Sequence, residues 1–62
     1  MDKIKKIIAE CSGSCGLSMY ENLSQDEFIT WFRNDIQYNT ENSRKLGEKL
    51  ISYLEGSIDE LP

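Results

Sequence analysis

The sequence contains no histidine, one proline and only two cysteines among its 62 residues. Without histidine, the commonest general base at neutral pH is missing, and no serine or cysteine has an evident activating partner. A chain of this length also has little room for a ligand pocket, which typically needs about 300 Å³ or more. These absences favour a protein that is not an enzyme and uses no cofactor.

Basic side chains are also too few for a surface that binds nucleic acid. Seven Lys and Arg stand against eleven Asp and Glu, so the net charge is −4, whereas nucleic-acid binding needs clustered basic residues. No apolar run approaches the roughly 20 residues of a membrane span, and charges interrupt the apolar stretch near the N-terminus that a secretory signal would need. We therefore expect no nucleic-acid or membrane partner, and a cytoplasmic protein with reduced thiols.

The composition is that of a small folded domain. Hydrophobic residues make up 39% of the chain and charged residues 29%, which is too apolar for a disordered chain. Residues 1–62 allow one domain, since domains rarely fall below about 50 residues. The core will be small. In so short a chain, the free energy gained by burying apolar surface nearly cancels the entropic cost of ordering the residues. Self-association into a homodimer that shares its core would enlarge it.

Three segments carry the spacing of amphipathic helices. The first, at residues 2–11, is followed by a Ser/Gly run at residues 11–16 that predicts a helix end and a loop. The structure of residues 12–23 stays open. The second helix, at residues 24–38, begins with Ser24-Gln25-Asp26-Glu27, the pattern of a capping box.

The third helix is predicted at residues 40–55. Thr40 or Asn39 can cap its start, and Gly56 is a natural stop. Gly47 in its interior costs about 1 kcal/mol relative to alanine, which indicates a close approach of the second helix at that point. Together the three segments predict an all-α fold, a small three-helix bundle.

The two cysteines, Cys11 and Cys15, do not make a metal site. Such a site normally needs four ligands, and the chain has no histidine to supply them. We interpret Cys11 as a small buried apolar residue and Cys15 as a loop thiol. Whether the two are bridged stays open.

Aromatic and acidic residues supply the candidate binding surface. The six aromatic residues exceed what so small a bundle can bury, and Trp and Tyr are favoured at interfaces. Phe28 and Phe32 suit the core. Residues 51–62 carry a net charge of −3, and acidic surfaces steer association with basic partners. The predicted partner-binding residues are Trp31, Asp35, Tyr38, Tyr53, Asp59 and Glu60.

These features predict a small acidic interaction protein, without enzymatic activity, that binds and regulates or inhibits a larger cytoplasmic protein bearing a basic patch. In its small size, acidity and helical pattern, the chain is similar to small proteins encoded by phage or mobile elements. The alternative is a homo-oligomer that binds a nucleotide-like metabolite, with backbone N–H groups of residues 12–16 holding phosphate. A DNA-binding helix-turn-helix with Arg44, Lys45 and Lys49 on its third helix is disfavoured by the net charge.

Overall fold

The computed structural model describes residues 2–61, which form three α-helices and one short 3₁₀ helix. Helix α1 spans Lys3–Asn22, α2 spans Gln25–Asp35 and α3 spans Glu41–Leu54, while the 3₁₀ helix, Ile36–Tyr38, follows α2 directly. Each α-helix packs against the other two. The predicted all-helical, three-helix architecture is confirmed, whereas a core shared with a second chain stays a prediction. Within residues 2–61, no helix has the length and apolar character needed to cross a membrane.

Helix α1 is longer than the predicted residues 2–11, and the Ser/Gly run at residues 11–16, predicted to end the helix in a loop, breaks it at one residue only. Only Gly13 leaves helical geometry, with φ 63° and ψ −152°, and the helix then continues to Asn22. Backbone angles of this kind are essentially restricted to glycine. The chain therefore bends at one residue, and α1 consists of a first arm (residues 3–12) and a second arm (residues 14–22).

A second glycine provides the space that this bend requires. Gly16 is buried, and a Cβ atom there would lie 2.5 Å from Cβ of Ser12 and 2.9 Å from Cγ2 of Ile8. Real carbon atoms do not approach so closely, so the two arms can meet only where residue 16 has no side chain. The Ser/Gly run marks the break correctly, but it forms a tight corner rather than a flexible connection.

Helix α2 begins with the predicted capping box. The Glu27 N–H donates to Oγ of Ser24 at 3.3 Å, and the Ser24 N–H donates to Oε1 of Glu27 at 3.1 Å. The α-helix ends at Asp35 rather than at residue 38, because the last predicted turn adopts 3₁₀ geometry. Such tighter turns commonly close an α-helix and redirect the chain.

Helix α3 follows the prediction at both ends. Thr40 caps its start, with the side-chain oxygen accepting a backbone N–H. At its end Gly56 has φ 83°, its N–H donates to the Tyr53 carbonyl, and the Ser57 N–H donates to the Ser52 carbonyl at 2.8 Å. This pair of bonds is the Schellman motif, so the predicted stop at Gly56 is confirmed.

The core lies between the three helices. A Cβ atom at Gly47 would lie 2.9 Å from Cγ2 of Ile36 and 3.3 Å from Cε2 of Phe32, which confirms the close approach predicted there. The rings of Phe28 and Phe32 stack with centroids 5.2 Å apart. The buried hydrophobic side chains are Ile7, Ile8, Cys11, Phe28, Ile29, Phe32, Ile36, Leu50 and Ile51.

Candidate functional site

Tyr38 is more exposed than any other large apolar side chain described in residues 2–61. It lies in the 3₁₀ helix with 84% of its surface accessible, whereas Phe28 and Phe32 of α2 are 1% and 0% exposed. An aromatic ring in this position contributes little to the core. It is therefore available to contact another molecule, the role in which Tyr is enriched at interfaces.

Trp31 lies on α2, seven residues before Tyr38 of the 3₁₀ helix. Its side chain is half-buried. The indole centroid lies 5.9 Å from the Phe28 ring and 6.4 Å from the Phe32 ring, so its inner edge belongs to the core. The expectation that a Trp or Tyr stays partly exposed is confirmed, while its role in binding stays a prediction.

Asp35 lies between these two aromatic residues and contacts α1. Its Oδ2 accepts a hydrogen bond from Oγ of Ser12 at 2.5 Å. One carboxylate oxygen is thus engaged within the chain, and the bond holds the end of α2 against the corner of α1. We refer to Trp31, Asp35 and Tyr38 as the aromatic face.

The two cysteines have different surroundings beside this corner. Both thiols are free, with Cys11 buried and Cys15 exposed. The Cys11 thiol donates to the Ser43 carbonyl at 3.3 Å. Burial raises the pKa of Cys11, and the nearby carboxylates of Glu10 and Asp35 raise it further, so the thiol is held in its unreactive neutral form. The interpretation of Cys11 as a buried apolar residue is confirmed. The predicted loop thiol, Cys15, instead lies in the second arm of α1.

The remaining candidate residues, Tyr53, Asp59 and Glu60, all line one groove of about 250 Å³. Asp59 and Glu60 also border a second depression, which contains Lys49. The groove lies where the start of α1, the last turn of α3 and the segment after α3 meet. We refer to it as the acidic groove. Its lining residues are Asp2, Lys3, Ile4, Tyr53, Asp59, Glu60 and Leu61.

The aromatic face and the acidic groove lie near opposite ends of α3. Asn39, directly after the 3₁₀ helix, donates its side-chain amide to the Cys11 carbonyl at 2.8 Å. Because Cys11 also contacts Ser43, the aromatic face sits beside the start of α3. Tyr53 follows ten residues later, which is about 15 Å of helix. Asp35 and Tyr38 therefore lie apart from the residues of the acidic groove.

Sequence reasoning missed a further groove, between α2 and α3. It has a volume of about 250 Å³ and a floor that includes Ile36 and Ile51. Arg33 of α2 pairs across it with Glu55 at 3.1 Å. Its walls carry equal numbers of arginines and glutamates, so the groove attracts neither cations nor anions in preference. The only feature of the sequence that indicates this groove is the spacing of polar residues along α2 and α3.

Within residues 2–61, no group of three or more His, Cys, Asp or Glu side chains is arranged to hold a metal ion. Comparison with protein-family models, curated proteins and solved structures gives no significant match.

Proposed function

We propose that this protein is a small non-enzymatic interaction protein that binds and regulates or inhibits a larger cytoplasmic protein. The observation that carries the proposal is the exposure of Tyr38, a residue that is 84% accessible on a chain that buries its phenylalanines. A few aromatic side chains commonly supply most of the binding energy of an interface. We infer that Tyr38 makes the principal contact.

The surroundings of Tyr38 support this assignment, because the ring is presented from a short element that is held at both ends. Asp35, just before the 3₁₀ helix, accepts a hydrogen bond from Ser12. Asn39, just after it, donates to the Cys11 carbonyl. A side chain on a fixed backbone loses less conformational entropy when it binds, which favours affinity.

Charge indicates the kind of partner. The net charge of −4 favours association with a basic surface, because complementary potentials raise the rate of encounter. Asp35 supplies a carboxylate between the two aromatic residues of the face. A partner with a basic patch around an aromatic-binding pocket fits both features.

The experiment is native mass spectrometry of the protein isolated gently from its own cells. We expect an added polypeptide mass with the wild type and its loss with Tyr38→Ala. The matched control is Gln37→Ala, which changes the neighbouring exposed residue of the same 3₁₀ helix. Both are surface substitutions, with expected effects on stability within about 0.5 kcal/mol. Retention of the partner by Tyr38→Ala would contradict the proposal.

The alternative function, a homo-oligomer that binds a nucleotide-like metabolite, stays a proposal. Its phosphate would be held by backbone N–H groups of residues 12–16, where α1 breaks at Gly13. A homo-oligomer that carries only a small extra mass in the same experiment would favour this alternative.

A further inference from the structure

Charge in the acidic groove is unbalanced. Asp2, Asp59 and Glu60 contribute three carboxylates, and Lys3 contributes one ammonium. The ion pairs found within residues 2–61 are Arg33–Glu55 and Lys45–Glu41, so no charged group of the groove is paired inside the described chain. The groove can therefore accept a cation.

One of these carboxylates has a structural role but keeps an oxygen available. Oδ1 of Asp2 accepts the Ile4 N–H at 2.9 Å and thereby caps α1. Its Oδ2 has no hydrogen-bond partner among residues 2–61. The cap also fixes the position of Asp2, which presents Oδ2 from the start of α1.

The walls of the groove suit the uncharged part of a long basic side chain. Tyr53 is half-buried and supplies an aromatic ring, on which a guanidinium group can stack. Ile4 and Leu61 are partly buried and pack against the core, so they offer apolar surface to a methylene stem. The volume of about 250 Å³ is small for a metabolite pocket and suits a single side chain.

We propose that the acidic groove receives an arginine side chain from a basic segment of a protein partner. Arginine is preferred to lysine because its planar guanidinium binds carboxylates in a bidentate manner, stacks on aromatic rings and is less strongly hydrated. This inference rests on the proposed function, since it defines the chemistry of the partner. It assigns Tyr53, Asp59 and Glu60 to a second contact, separate from the aromatic face.

The test titrates the ¹⁵N-labelled full chain with three short peptides and follows the amide signals by NMR. Each peptide has the form acetyl-Gly-Gly-Xaa-Gly-Gly-amide, with arginine, lysine or citrulline at Xaa. Citrulline has the shape of arginine without its charge. We expect the arginine peptide to shift signals around Ile4, Tyr53 and Asp59 saturably, the lysine peptide to bind more weakly, and the citrulline peptide to cause no shift. Equal effects of arginine and citrulline would overturn the proposal.

Paired variants separate a specific site from general attraction to an acidic protein. The double substitution Asp59→Asn/Glu60→Gln should weaken binding of the arginine peptide by about fivefold, the scale of two exposed ion pairs. The control, Glu10→Gln/Glu21→Gln, removes two exposed carboxylates outside the groove and should leave most of the affinity. Equal weakening by both pairs, or shifts spread over the whole acidic surface, would overturn the proposal.

This test and the test of the proposed function fail in distinguishable ways. If the peptide does not bind but Tyr38→Ala still abolishes the complex with the partner, only the arginine site is wrong. If the peptide binds in the groove but Tyr38→Ala leaves the complex intact, the role of the aromatic face is wrong and the arginine site stands.

Discussion

At the scale of single residues, the positions without a side chain set the geometry of the bundle. Gly47 lies where α3 meets the 3₁₀ helix, and a Cβ atom there would be 2.9 Å from Cγ2 of Ile36 and 3.0 Å from its Cδ1. Both atoms belong to a side chain that is almost completely buried. Ile36 therefore has little freedom to move away from a larger residue.

Gly47→Ala should lower the free energy of unfolding by about 1–3 kcal/mol through overpacking, although alanine is favoured over glycine by about 1 kcal/mol within a helix. Urea denaturation followed by circular dichroism measures the change. In an Ile36→Ala background the two closest atoms are absent and only Cε2 of Phe32, at 3.3 Å, remains, so Gly47→Ala should then cost less. Equal losses in both backgrounds would show that the two residues are not coupled.

Cys11 makes the stability depend on pH in the alkaline range. Burial is the main cause that raises its pKa, so the folded state holds the thiol proton more tightly than the unfolded state. The contribution is complete below the pKa of the unfolded thiol, about 8.5, and is lost as the pH rises through the folded value. We expect the free energy of unfolding to fall more steeply above about pH 8.5 in the wild type than in Cys11→Ala.

The matched control is Cys15→Ala, which removes the exposed thiol. It should retain the alkaline loss of stability seen in the wild type. Iodoacetamide provides an independent readout, because Cys15 should be alkylated in the folded protein while Cys11 reacts only after unfolding. Rapid alkylation of both thiols under native conditions would contradict the burial of Cys11.

At the scale of elements, the sequence predicts the structures that are determined by nearby residues. The Ser24–Glu27 capping box and the stop at Gly56 each involve bonds between residues a few positions apart, so their signals are local. The corner of α1 depends on contacts such as Ser12 with Asp35, 23 positions away. Tertiary packing makes these low-propensity residues helical, which composition does not indicate.

In the candidate site, too, the sequence predicts some features, and others depend on contacts between distant residues. The exposure of a Trp or Tyr could be predicted, because a bundle of this size cannot bury six aromatic rings. The separation of Tyr38 from Tyr53 could not, because it depends on which end of α3 each element packs against. Periodicity identifies the face of a helix on which a residue lies, but not its neighbours on other helices.

Gly13→Ala tests the corner of α1. A Cβ atom at Gly13 would meet nothing within 4 Å, so any loss arises from the backbone angles alone, which cost on the order of 1–3 kcal/mol for other residues. The control is Ser14→Ala, one position later, where alanine should be neutral or slightly stabilising. Urea denaturation of both variants measures the difference. A neutral Gly13→Ala would mean that α1 does not bend at this residue.

At the scale of the whole molecule, the three helices close a core within one chain. The largest fully buried side chains come from α1, α2, the 3₁₀ helix and α3, so each element contributes to the same cluster. Every one of them is less than 2% exposed without a second copy present. These residues are Phe28, Phe32, Ile8, Ile36 and Leu50.

We therefore expect the midpoint of thermal unfolding to stay constant over about a hundredfold range of protein concentration, since only an assembly that unfolds as it dissociates shows mass-action dependence. Differential scanning calorimetry measures the midpoint, and sedimentation equilibrium on the same samples reports the chain count. A midpoint that rises with concentration would favour the predicted homodimer. Tyr38→Ala then tests the surface through which that dimer forms: if the substitution removes the dependence, the aromatic face joins two copies of this chain, and if it does not, the two copies meet elsewhere.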